Sequence, residues 1–377
     1  MNCRPGSVQI AFYISGHGLG HAVRQIEIIN ALARQRPDAA VLIRSSAARR
    51  IFDRTVNRPF ELDDRPCDTG VVQIDSLRLD AAATVARASA FYRTIGERAE
   101  AEARLLRDRG VRLVIADAPP LACAAAALAG IPSVVISNFT WDWIYQEYAE
   151  HLSSAPDLIP TIQSAYKLAD EAWVLPMHGG FETFGPARDV PFVARHARTD
   201  LTRQDVLRML SLPADRPLAL VTFGGYGVDE LPLARLDCLP DWTIVLTDSD
   251  EASRGHAGIA GIHVVAEERL YGAGLRYQDL VAAVDAVVTK PGYGIISECV
   301  ANETALVYTS RGRFAEYPVL VREMPKYVRS AYLDRASLVA GRWRGPLDAA
   351  VSAPPPPQHP PTNGADVIAG SISSYLP

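Results

Sequence analysis

The sequence predicts an α/β chain made of two open parallel sheets that face each other across a cleft. Three observations lead there. Short β-branched apolar runs recur along the chain, each followed by a segment with helical spacing, and strands so separated pair in parallel because parallel neighbours need a long crossover. The alternation breaks once, at RDVPFVARHARTDLT (188–202), and then restarts. Finally, 377 residues at 48% apolar composition exceed what one compact core accommodates.

Taken in order, VQIAFYIS (8–15) reads as a buried strand, SGHGLGH as a glycine loop, and the segment after it as a helix through about residue 35. AVLIRSS (40–46) is the next strand, and helical spacing returns from about 84 to 109. LVIADAPPLACAAAALAGIPSVVIS (113–137) could cross a bilayer on length alone. Asp117, the Pro119-Pro120 pair and Gly130-Ile131-Pro132 instead cut it into a strand at 113–117, an alanine-rich helix and a strand at 133–137. A strand at 172–175 ends this half. The second half offers LALVTFGG (218–225), WTIVLTDS (242–249), GIHVVAE (261–267), AVVT (286–289) and ALVYTS (305–310) as strands. APPPPQHPPTNG (353–364) forbids a regular helix and predicts an extended crossing segment, with DVIAGSISSYL as a short terminal helix. Three units follow: 1–190, 191–352 and 353–377.

Charge and cysteine usage exclude several classes. With 38 basic and 43 acidic side chains the net charge is −5, which argues against an electrostatic nucleic-acid binder. Cys3, Cys67, Cys123, Cys238 and Cys299 are scattered without zinc-site or redox spacing, as expected of a reducing cytoplasm. The first residues lack the features of a signal peptide, and the absence of a basic amphipathic helix speaks against stable membrane insertion.

Ligands of open parallel sheets bind at the carboxyl ends of strands, so chemistry is sought in the loops after them. In ISGHGLGH a tight turn would account for the glycines alone, but two histidines shift the balance toward a site. His21 falls in or just before the first helical turn, where the helix dipole favours a neutral ring able to accept a proton. His17 reads as a loop residue bonded to backbone. Asp117, at the end of LVIAD, is a turn former or, if it meets His21 across the sheet edge, the partner that orients the ring. In the second half, the Gly224-Gly225 loop and KPGYGIISE present small residues near helix starts, suited to a diphosphate, with Lys290 as a point charge. Neither loop has P-loop or dinucleotide spacing. Glu298, a turn further on, is a solvated acid or a ligand for two sugar hydroxyls. Trp141, Trp143 and Tyr145 of NFTWDWIYQEY could stack on an acceptor or lie in the core between the halves. Arg311 and Arg313 read either as anion ligands or as solvated charges, and Arg276 with Tyr277 as weak nucleobase candidates. No Asp-x-Asp metal motif is convincing, since DSD at 248–250 lies outside these loops.

FYISGHGLGHAVR, ADAPPLACAAAALAGIPSVVISNFTWDWIYQEY, DVPFVAR, FGG and KPGYGIISECVANETALVYTSRGRFAEYPVL together resemble the GT-B glycosyltransferases, and most closely the glycosyltransferase-like N-terminal region of plant L-arabinokinases. The resemblance implies the GT-B arrangement, two Rossmann-like parallel-sheet domains facing each other across a cleft. It puts the base on His21 and its carboxylate partner on Asp117. It puts the donor on Gly224, Gly225, Lys290, Gly292, Gly294, Ile295, Glu298, Glu316 and Tyr317, with Glu298 on the ribose and Glu316 with Tyr317 on the donor sugar. Lys290 replaces the family's phosphate-binding histidine, Gly294 and Ile295 its asparagine-serine pair, and Tyr317 an amide. The acceptor side falls to His17, Gly18, Trp141 and Trp143. No kinase motif follows, so arabinose phosphorylation is not implied.

The expected activity is transfer of a hexosyl or pentosyl group, with inversion, from a nucleoside diphosphate sugar to a small-molecule acceptor. A UDP-sugar is the expected co-substrate, with no cofactor and no metal. Two alternatives remain at this stage: a nucleotide-sugar-sensing module without turnover, and a nucleotide-sugar hydrolase or epimerase of the same fold.

Overall fold

The computed structural model describes residues 9–224, 239, 241–247 and 261–376. Within them lie two parallel sheets. The first is ordered β3-β2-β1-β6-β7-β8-β9, from β1 (Gln9–Ile14), β2 (Ala40–Arg44), β3 (Glu61–Asp63), β6 (Val111–Asp117), β7 (Ser133–Phe139), β8 (Glu171–Gly179) and β9 (Ala187–Asp189). The second runs β12-β11-β10-β13-β14-β15, from β10 (Leu218–Thr222), β11 (Thr243–Thr247), β12 (Ile262–Val265), β13 (Ala286–Thr289), β14 (Ala305–Tyr308) and β15 (Ser330–Tyr332). Between β3 and β6 an antiparallel pair, β4 (Val72–Gln73) and β5 (Leu79–Asp80), forms a hairpin of its own. Among the described residues no helix is long and apolar enough to cross a membrane.

Period-2 alternation with apolar residues at every position explains why each sheet is covered on both faces. Along β1, Ala11 and Tyr13 enter one core while Ile10, Phe12 and Ile14 enter the other. The second sheet repeats the arrangement, with Leu218 and Leu220 on one side and Ala219 and Val221 on the other. β1 and β10 are central strands of their sheets, so the loops that follow them open at the middle of each carboxyl edge.

Differences from the sequence reading are local. The helix expected over 84–109 is two helices, Ala81–Tyr92 and Ile95–Asp108, because the Thr94 hydroxyl takes the Phe91 carbonyl at 3.1 Å and breaks the ladder. β3, β9 and β15 have only three residues each and β4 and β5 two, too short to show a period. The stretch 188–202, expected as a connector, begins inside β9.

The terminal helix Gly364–Ser374 packs on helix Leu19–Gln35 and contributes Ile368 and Ile372 to a core of the first sheet. Its start is tightly fitted, for Gly364 N–H donates to Phe192 O at 2.9 Å, and a Cβ on Gly364 would stand 2.7 Å from that oxygen. Gly364→Ala should therefore cost about 1–3 kcal/mol and loosen the terminal helix, read as a lower melting temperature and faster proteolysis after residue 360. Unchanged protection would refute the fit.

The two halves also interpenetrate. Leu77, at the tip of the β4–β5 hairpin, is buried among Phe223, Leu246, Val288 and Leu333 of the second half, and Ser76 Oγ donates to Phe223 O at 2.6 Å. In return Phe314, from the loop after β14, is buried among Tyr148, Phe181 and Phe184 of the first half.

Candidate functional site

The site assembles at the facing carboxyl edges of the two sheets. After β1 the chain turns through Ser15–Gly18 into helix Leu19–Gln35, and Gly18 caps that helix at φ +74°, a conformation that disfavours a side chain. His21 is thereby the third residue of the helix. β1 and β6 pair in a register that sets Ile14 opposite Asp117, so the carboxylate ends β6 beside the glycine loop. His21 Nδ1 lies 2.9 Å from Asp117 Oδ1. A carboxylate can only accept, so Nδ1 carries a proton, and in the neutral ring it is Nε2 that keeps the lone pair.

Asp117 is fully buried yet ionised. Burial pushes its carboxyl up, but the charges of Arg24 and His21 and their hydrogen bonds prevail and hold it at about 2. The next residue, Ala118, sits at φ +74° without being glycine, a strained geometry of the kind concentrated at sites. Its carbonyl is held by the Tyr166 hydroxyl at 2.5 Å.

His21 is 7% exposed, with Phe139 edge-on at 5.3 Å between ring centroids. His17 lies beside it but in a different state, since burial and then the charges of His21, Arg311 and Lys290 push its ring down to about 3. A ring so held is a poor proton acceptor. The backbone N–H of His17 donates to Ser15 Oγ at 3.2 Å.

Of the two indoles, Trp141 requires correction. Trp141 is 1% exposed, stacks on Tyr145 at 5.5 Å and donates its N–H to Asp68 Oδ2 at 2.8 Å, so it packs beside the His21 ring and presents no face to an acceptor. Trp143 is half-buried with its ring against Gly179. Tyr145 is core as well, its hydroxyl on Gly70 O.

Across the cleft, Gly224 follows β10 at φ +74°, whereas Gly225 lies outside the described residues, as do Cys3, Cys238 and the DSD at 248–250. Gly292 is the N-cap of helix Tyr293–Ala301 and supplies no side-chain cap, so the first amides of that helix are not capped from there. A Cβ on Gly294 would stand 3.8 Å from Gly20 Cα, which shows how closely the two helix starts face each other. The Ile295 side chain packs into the core of the second half. Lys290 follows β13, its carbonyl accepting from Thr289 Oγ1 at 3.0 Å; burial, and next the charge of Arg311, push its amine down to about 7.

Two carboxylates expected to hold the donor are already engaged. Glu316 Oε1 accepts from Arg311 Nη1 at 2.6 Å, and Glu298 Oε1 accepts from Arg195 Nε at 2.7 Å. Glu298 is 3% exposed, not a solvated acid, and burial raises its carboxyl against the opposing charge of Arg195. Arg311 is not solvated either, for it is 9% exposed and stacked 3.9 Å over Phe314, with Nε lacking a partner among the described residues. Arg313 does reach solvent and pairs with Glu150. Tyr317 is half-buried against the first half's core. Arg276 and Tyr277 begin the helix Tyr277–Ala283, with the Arg195 guanidinium 5.5 Å over the Tyr277 ring.

A pocket opens between the halves, lined by Arg24, Asn138, Met177, Arg195, Tyr293 and Glu298 among others. Five of these were not singled out from sequence: Arg24, Asn138, Met177, Arg195 and Tyr293. Arg24 had a visible signal, since in GHAVR it stands three residues after His21 and so on the same helix face. The others come together only through the fold.

No protein-family model matches the chain. It is 28% identical over 359 residues to L-arabinokinase of Arabidopsis thaliana, covering 92% of this chain and 32% of that protein, so the chain spans about a third of the curated relative it matches. Among solved structures it superposes on the glycotransferase of kitacinnamycin with a TM-score of 0.64 at 18% identity, covering 99% of this chain and 100% of that one. The calicheamicin glycosyltransferase CalG4 gives 0.61 at 14%, with 98% of each chain covered. A Listeria monocytogenes protein described as a UDP-N-acetylglucosamine 2-epimerase gives 0.59 at 12%, covering 98% of this chain and 97% of that one. Two Rossmann-like parallel-sheet domains facing each other across a cleft, superposing end to end on such structures, are the GT-B fold, and this chain has it.

Proposed function

We propose that the protein is an inverting glycosyltransferase that moves a hexosyl or pentosyl group from a nucleoside diphosphate sugar, a UDP-sugar first among them, to a small-molecule acceptor. The observation that carries this reading is the 2.9 Å contact of His21 Nδ1 with ionised Asp117, opposite the start of helix Tyr293–Ala301 and Lys290. His21 Nε2 takes the acceptor hydroxyl proton as the acceptor oxygen bonds to the anomeric carbon. The bond from that carbon to the diphosphate oxygen breaks on the opposite face, and the leaving diphosphate keeps the electron pair. Asp117 stabilises the imidazolium so formed. Lys290 and the amides of residues 292–295 meet the charge growing on the diphosphate. No cofactor enters this scheme.

Incubation with UDP-, GDP- and dTDP-sugars, with and without acceptors, followed by mass spectrometry, tests the assignment. Acceptor-dependent release of nucleotide with inverted product supports it. The likeness to a protein described as an epimerase favours one second reading, in which the same pair activates water or moves a substrate proton. Acceptor-independent release, or an epimerised donor, would establish that reading, and tight binding without turnover a sensor.

Lys290 makes UDP affinity pH-dependent. An amine held near 7 is largely neutral above that pH, and a bound diphosphate restores its charge, so binding takes up a proton. Between pH 7.5 and 9, where the terminal phosphate is fully ionised, affinity should fall by up to about tenfold per pH unit. In Lys290→Ala, binding at pH 7 should weaken about tenfold and this slope should vanish in calorimetric titrations. A slope equal to wild type would remove Lys290 from the diphosphate site.

A further inference from the structure

Asp117 is shared between two cationic partners. Its Oδ1 accepts from His21 Nδ1 at 2.9 Å and from Arg24 Nη2 at 2.6 Å, while Oδ2 accepts from Arg24 Nε at 3.0 Å and Gln25 Nε2 at 3.2 Å. The buried Arg24 fork is therefore bidentate, and its remaining Nη1 donates to Asn138 Oδ1. Asn138 is itself tied to Pro176 O at 2.7 Å. Arg24 Nη2 also comes within 3.3 Å of His21 Nδ1.

A base that must accept a proton has to be unprotonated when the acceptor arrives. A buried carboxylate with an imidazole as its only partner works against that, because an opposite charge so close favours the imidazolium. A carboxylate already neutralised by a bidentate guanidinium exerts a much smaller field on the ring. We propose that Arg24 is a positioning residue that sets the charge of the pair: it compensates Asp117, so that the carboxylate fixes the tautomer and aim of His21 without holding a proton on it. This refines the reading of His21 as a base and rests on it for its catalytic consequence.

The other groups around the ring leave that role to Arg24. From the glycine loop comes His17, held neutral, and from strand β7 and the helix after it the rings of Phe139 and Trp141. From helix Tyr293–Ala301 comes Tyr293, packed on Phe139. The loop before the hairpin supplies Asp68, a further carboxyl near the ring; burial raises it, with bonds from Ser15 and Trp141 acting the other way. Arg24 is thus the fixed cation in contact with Asp117.

The test reads His21 directly. Protein with isotope-labelled histidine is titrated by NMR, the His21 ring being assigned by the signals lost in His21→Asn. Arg24→Gln should raise the His21 midpoint by about one unit or more, and Arg24→Lys, which keeps a charge without the fork, by less. If turnover is found, the acid limb of kcat/KM should move up by the same amount in Arg24→Gln, with activity recovering at alkaline pH. An unmoved midpoint in whichever of the two variants folds overturns the proposal, as does an activity loss equal at every pH. A raised midpoint in a protein without turnover upholds the charge-setting role and sinks the transferase reading instead.

Discussion

His21→Ala should lower kcat about a thousandfold, within the range general-base catalysis commonly supplies, and leave donor KM nearly unchanged. The split follows from where the contacts come from. Lys290, Gly292 and the other residues proposed for the donor belong to the second sheet's loops, and His21 to the first helix of the other half. The variant should also fold, because removing the ring does not orphan the buried carboxylate: Asp117 keeps the Arg24 fork and Gln25. Asp117→Ala is the less clean experiment. It leaves the buried Arg24 guanidinium without its carboxylate and should cost about 3–5 kcal/mol in stability besides activity. Steady-state kinetics beside a melting curve checks both, and near-normal turnover in His21→Ala would end the base assignment.

The parts of the site that were readable from sequence share one property: each lies within a few residues of a strand's carboxyl end. His21 and Asp117 follow apolar runs whose period and punctuation locate β1 and β6, and adjacent parallel strands then bring those ends to one edge. Lys290 and Gly292 follow β13 in the same way. What could not be read was which side chains would be taken by others. Trp141 has the composition of a stacking platform, yet its N–H finds Asp68, which is 73 residues away and on a loop without periodic signal. Glu298 has the spacing of a ribose ligand, yet Arg195 reaches it from the segment between the halves, 103 residues earlier. Such pairings depend on how the two sheets are docked, and local pattern carries no information about docking. The short edge strands escaped for a simpler reason, being too brief to display alternation.

Leu77 and Phe314 are reciprocal anchors between the halves, and truncating them should give the largest stability loss away from the His21–Asp117 pair. Each side chain is buried in the core of the opposite half, so removing it leaves a cavity and unseats a contact between halves at once. Phe314→Ala should cost about 3–5 kcal/mol and Leu77→Ala about 2–5 kcal/mol. In a chain of 377 residues that is a fall in melting temperature of roughly 3–6 °C. Because each core is completed by the other half, wild-type unfolding should be one calorimetric transition, and the double variant should separate it into two. Donor KM should rise more than kcat falls, since Phe223 and the Arg311–Glu316 pair adjoin these anchors while His21 and Asp117 keep their own contacts. Phe314→Leu, which refills most of the volume, should recover much of the loss. A Phe314→Ala protein that melts within a degree of wild type, as a single transition, would mean that the halves are held by other contacts.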